Sequence, residues 1–159
     1  MSKKEIKFEP RVLGMRNIGS QTVLADGVIN LGIAYRRFDD NYNPCRIFTF
    51  NETANGITIQ REGIYKVSAT FVGTGETAGD VTIQLVENGI PVDGVISTET
   101  ITTATTEFRT FVIDYLVKVD RDCVLGYPTT DAKNISFINA SDGIDATFTS
   151  VIVNVTREV

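Results

Sequence analysis

Gly63-Ile64-Tyr65-Lys66-Val67-Ser68-Ala69-Thr70-Phe71-Val72 is the stretch whose reading decides the fold. Tyr65, Val67, Ala69 and Phe71 alternate with Lys66, Ser68 and Thr70, the period of two that places one set of side chains on each face of a strand. The apolar set is expected to face a core, the polar set water or a partner. Arg61-Glu62-Gly63 in front of it reads as a turn, with Gly63 free to take a positive φ.

Working outward, the same grammar recurs. Downstream, Val81-Thr82-Ile83-Gln84-Leu85 alternates, Glu87-Asn88-Gly89 makes a tight turn, and Ile90-Pro91-Val92 is an edge or irregular strand because Pro91 has no N–H to give a ladder. Gly73 to Gly79 reads as a flexible loop. Ser97 to Thr106 is Thr-rich and suits a solvated or interface-facing strand pair. Glu107 to Val119 is the longest strand and is apolar on both faces around Val112 to Val117, which predicts a core on one side and another subunit or sheet on the other. Three more strands are expected at Cys123–Gly126, Ile135–Ile138 and Ala146–Val155. Upstream, Val28 to Ala34, Cys45 to Phe50 and Ile57 to Ile59 read as strands, with Tyr35 to Pro44 a polar loop. No helical period of useful length occurs, and short strands at this spacing with Gly and Asn turns indicate a sandwich or barrel.

The 159 residues, 42% of them hydrophobic, suffice for one domain plus an arm. Residues 1–27 are read as an extended arm and 28–159 as the β-domain. The arm carries Ile6, Phe8, Val12, Leu13, Met15 and Ile18 with no period of 2 or 3.6, too many apolar residues for a free tail, so it is expected to lie against another protein or, more blandly, on its own domain. It has no apolar h-region, so no secretory signal is expected there. No apolar run approaches the ~20 residues of a membrane span.

Charge and composition narrow the chemistry. The net charge of −5, with Lys3-Lys4 followed at once by Glu5, argues against nucleic acid as a partner. With no histidine, neither a Ser-His-Asp site nor a His-ligated metal can form. Asp39-Asp40, Asp120 with Asp122, and Asp142 with Asp145 are the carboxylate pairs, all in turn sequences where an Asx-turn role is the default. Ser141-Asp142-Gly143-Ile144-Asp145 offers oxygens to calcium without matching a full ligand loop. Asn-x-Ser/Thr acceptors occur at Asn51, Asn134, Asn139 and Asn154 and reflect Asn- and Thr-rich strands. Cys45 and Cys123 read first as buried thiols; spacing leaves a disulfide open. No cofactor is expected.

The order of these signals resembles the tumour-necrosis-factor-like and complement globular-head jelly-roll superfamily. Its Pro-Gly-x-Tyr-x-Phe strand is matched by Glu62-Gly63-Ile64-Tyr65-Lys66-Val67, and its Leu-x-x-Asn-Gly by Leu85-Val86-Glu87-Asn88-Gly89. The long strand closed by an acidic turn is matched by Leu116 to Val124, with Asp120-Arg121-Asp122 in place of the usual Gly-Asp, and the terminal strand by Phe148 to Val155. The resemblance covers about residues 28–157. Ala78 to Asn88 and Ser97 to Phe111 also resemble small head-fibre and decoration proteins of tailed bacteriophages. This implies an all-β jelly-roll sandwich with an extended N-terminal arm. It further implies a homotrimer without catalysis, placed in the virion, whose interface candidates are Val112, Tyr115, Val117 and Phe148. The arm would dock to the capsid or another virion protein, and loop tips at Tyr35–Pro44, Gly73–Gly79 and Thr129–Lys133 would meet a host-surface glycan or protein. The alternatives are a secreted or cell-surface ligand- or lectin-like module of the same fold, and behind it a carboxylate-dependent glycan hydrolase.

Overall fold

The computed structural model describes residues 11–38, 46–50, 55–121 and 131–158. Ile6, Phe8, Cys45, Cys123, Asp39, Asp40, Asp122, Asn51 and the strand expected at Cys123–Gly126 lie outside them.

Eleven strands are present: β1 (Val12–Asn17), β2 (Gln21–Val23), β3 (Ile33–Phe38), β4 (Phe48–Phe50), β5 (Ile57–Ile59), β6 (Gly63–Gly75), β7 (Gly79–Glu87), β8 (Ile90–Ile101), β9 (Arg109–Val119), β10 (Lys133–Asn139) and β11 (Ala146–Arg157). They form two antiparallel sheets. The first runs β3-β1-β11-β6-β9, with β2 also on β11; the second runs β4-β5-β10-β7-β8. The chain is therefore a jelly-roll sandwich.

The alternation in β6 holds as read: Tyr65, Val67, Ala69 and Phe71 are buried while Lys66 and Thr70 are exposed. Phe71 packs edge-on against Phe137 of the opposite sheet, ring centroids 5.2 Å apart, and against Phe148 at 6.1 Å. Phe111 joins Phe148 at 6.4 Å, so four aromatic rings centre the core. Such pairs add about 0.5–1.5 kcal/mol each beyond burial. The β7–β8 hairpin turns on Asn88 and Gly89, both with positive φ (51° and 79°), the pair of left-handed residues that the favoured two-residue turn requires. Pro91 lies in β8, an edge strand, where its missing N–H breaks no internal ladder.

Three expectations need correction. Val12 to Asn17 is no arm: β1 lies between β3 and β11, and its Leu13 and Met15 are fully buried in the core. The period of two is blurred because Gly14 leaves a gap on the outward side and the third inward position is the polar Asn17. The Tyr35 loop is partly a strand, because β3 carries a bulge between its pairings with Gly14 and Met15 that puts Tyr35 out of phase. The Gly73–Gly79 loop shrinks to a turn, since β6 runs to Gly75 and β7 starts at Gly79. The two apolar faces expected of β9 are present: Phe111, Ile113, Val117 and Val119 point inward, and Val112 and Leu116, with Asp114 between them, point outward.

Candidate assembly face

The two sheets differ in what they turn outward. The second sheet shows Thr58, Thr82, Gln84, Asn134 and Ser136, a mostly polar surface on which Ile96 of β8 is 49% exposed. The first sheet keeps Ile33 (69% exposed), Phe38 (59%), Ile64 (37%), Val112 (54%) and Leu116 (62%) on its outer side.

The ladder registers order this outer face into three rows that each cross all five strands. One row is Phe38, Val12, Thr156, Lys66, Leu116. The next is Arg36, Gly14, Asn154, Ser68, Asp114. The third is Ile33, Arg16, Ile152, Thr70, Val112. The outer rows end on apolar side chains at both sheet edges. The middle row ends on Arg36 at one edge and Asp114 at the other.

The middle row is held by side-chain bonds. The Tyr35 hydroxyl donates to Asn154 Oδ1 at 2.7 Å, and Ser68 Oγ donates to Asp114 Oδ1 at 2.7 Å. The Tyr35 ring lies over Gly14, where an added Cβ would stand 2.8 Å from its Cε1; only glycine leaves that ring its place. The Arg16 and Arg36 guanidiniums sit 5.4 and 5.8 Å from the same ring, within cation–π range. Beside Leu116, a shallow concavity of about 530 Å3 is lined by Ile64, Lys66, Asp114, Tyr115 and Glu158.

Of the four interface candidates, Val112 is on this face. Tyr115, Val117 and Phe148 are not: Val117 and Phe148 are buried between the sheets, and Tyr115 points inward, its hydroxyl donating to Glu87. Of the six arm candidates, Leu13 and Met15 are core, Val12 lies half-buried on the outer face, and Ile18 is 73% exposed after β1. The face residues that the sequence reading passed over are Tyr35, Arg36, Asp114 and Leu116. Phasing β9 on its own inward residues would have exposed Asp114 and Leu116, since strand neighbours two apart share a face.

Two of the other carboxylates have local partners. Asp145 Oδ1 accepts the Ala25 N–H at 3.0 Å, and Asp120 pairs with Lys118 at 3.3 Å. Among the described residues no three His, Cys, Asp or Glu side chains gather into a metal-sized cluster. Asn139 is fully buried, its amide donating to the Val23 and Ile144 carbonyls. At the β8–β9 connection Glu107 accepts the Thr102 and Thr103 N–H groups, the Thr102 hydroxyl and the Arg109 guanidinium. These bonds, the Thr103 N–H first, hold its carboxyl down at about 2.

No protein-family model and no curated protein sequence matches the chain. Solved structures do match in shape. An Eiger TNF from S. frugiperda superposes with a TM-score of 0.63 at 9% identity, covering 94% of this chain and 92% of that one. The globular domain of the zebrafish complement 1qA protein gives 0.58 at 8%, covering 94% and 98%, and murine APRIL 0.54 at 5%, covering 94% and 99%. At such identities the likeness is one of fold, the jelly roll that tumour-necrosis-factor-like and complement heads share.

Proposed function

We propose that the chain is a non-enzymatic, self-associating head, a homotrimer, that serves as a structural component of a bacteriophage virion of the head-fibre or decoration kind. One observation carries the self-association: five large apolar side chains stand exposed on the outer side of the first sheet, whereas the exposed ones on the second sheet are Ile90 and Ile96 of its edge strand β8. Contiguous exposed apolar surface on a folded protein marks an interaction site. The similarity in fold to a TNF and to a complement globular domain supports a self-associating, ligand-like module. The virion setting rests on the resemblance of Ala78–Asn88 and Ser97–Phe111 to phage head proteins. With β1 inside the sandwich, the attachment role falls to residues 1–10, with Ile6 and Phe8 as the apolar contacts.

Light scattering of the purified chain is expected to give three times its 17.4 kDa mass; a monomer at micromolar concentration overturns the reading. A chain beginning at Arg11 is expected to stay folded and trimeric and to lose incorporation into particles. Full incorporation of that chain removes the attachment role.

The second reading, a ligand- or lectin-like binding head, is favoured by the same structural neighbours. Saturable glycan-array or receptor binding, without particle association, would select it over the virion role.

A further inference from the structure

The two edges of the outer face match each other. Along β3 the outward residues are Ile33, Tyr35, Arg36 and Phe38; along β9 they are Thr110, Val112, Asp114, Leu116 and Lys118. At the three positions joined by the rows, Ile33, Arg36 and Phe38 on β3 and Val112, Asp114 and Leu116 on β9, each edge reads apolar, charged, apolar, with the charges of opposite sign. The strands alternate in direction across the sheet, so β3 and β9, four steps apart, run the same way.

We infer that successive copies in the trimer meet head to tail, the β9 edge of one against the β3 edge of the next, with Asp114 paired to Arg36 of that second copy. This rests on the trimer reading and adds its contact. Set side by side in the same direction, the two edges present their rows in the same order, which brings Asp114 opposite Arg36, Leu116 opposite Phe38 and Val112 opposite Ile33. A contact joining like edges would instead set Asp114 against Asp114 and Arg36 against Arg36, a repulsive arrangement. Head-to-tail contacts close into a ring where the rotation between copies is a whole fraction of a turn, as in a trimer.

Both charges are available for the pairing. Neither Asp114 nor Arg36 has an ion-pair partner among the described residues. Each is nevertheless held in place, Asp114 by the Ser68 hydroxyl and Arg36 by the Tyr35 ring. Tyr35 is in turn fixed by Asn154. Preorganised charges lose little freedom on docking, which favours specificity as well as affinity.

The test is a charge exchange read by light scattering and analytical ultracentrifugation, with circular dichroism to confirm folding. Asp114→Arg alone and Arg36→Asp alone are each expected to weaken trimerisation by about tenfold or more. The double exchange is expected to restore it, because the pair is rebuilt with its signs reversed. A wild-type trimer that tolerates both single changes overturns this inference alone. So does a folded double variant no better assembled than the singles. A wild-type chain that is a monomer or a dimer overturns the trimer reading, and this contact with it.

Discussion

The Tyr115 hydroxyl leaves β9 and donates to Glu87 Oε2 of β7 at 3.0 Å, tying the two sheets together at one side of the sandwich. Burial and this carboxylate raise the Tyr115 pKa above 10, burial being the larger cause. A phenol whose folded pKa is raised contributes its stability fully below the unfolded value and loses it as pH climbs through the folded one. The expected result is a sandwich whose melting temperature falls above pH 10 more steeply than that of Tyr115→Phe. At neutral pH the same substitution should cost about 1–2 kcal/mol, measured by denaturant melts.

The opposite sign holds at Glu107. Its folded pKa, lowered to about 2, means that the stability it lends is present above the unfolded carboxylate value near 4.5 and fades as pH falls toward 2. A carboxyl-carbon NMR titration should find its midpoint near 2. In Glu107→Gln, amide exchange at Thr102 and Thr103 should quicken while the global melt stays close to wild type. A midpoint above 4 would mean that the turn does not hold the carboxylate in solution.

The aromatic core sets a third expectation. Phe71→Ala removes a ring in contact with Phe137 and Phe148 and should cost about 3–5 kcal/mol, whereas Lys66→Ala on the opposite side of β6 should stay near ±0.5 kcal/mol in the isolated subunit. Equal losses in urea would contradict the face assignment.

Leu13 and Met15 give the fourth. Each is fully buried on a strand flanked on both sides, so Leu13→Ala and Met15→Ala should cost about 2–5 kcal/mol apiece. A chain beginning at Gln21 should fail to fold, because it lacks the strand between β3 and β11. A cooperative melt from that shortened chain would show that β1 is dispensable.

The strands that declared themselves in the sequence are those whose two faces meet different surroundings, such as Tyr65 to Phe71 and Val81 to Leu85. Elsewhere the code was blurred for definable reasons. The bulge at Tyr35 shifts β3 by one residue, so polar Tyr35 and Arg36 share a side and the period of two disappears. In β9 the outward Val112 and Leu116 are as apolar as the inward Ile113 and Val117, so hydrophobicity could not tell core from surface. That is how Val117 came to be read as interface and Leu116 was passed over. Gly73 and Gly75 suggested a loop, yet they sit in β6 because Phe148 and Val81 press against its backbone. The assembly face was hidden for a further reason: its rows join residues from five strands, a proximity that only the registers create.

The place of β1 also dictates when the molecule can fold. This strand, near the start of the chain, hydrogen-bonds β11, near the end, through pairs such as Leu13 with Val155 and Met15 with Val153. A ribosome must therefore release the chain as far as β11 before the first sheet can close. Until then two of the largest core side chains wait in water, with no mate for their strand. Pairings so distant along the chain slow folding and lengthen the interval in which unpaired edges invite aggregation.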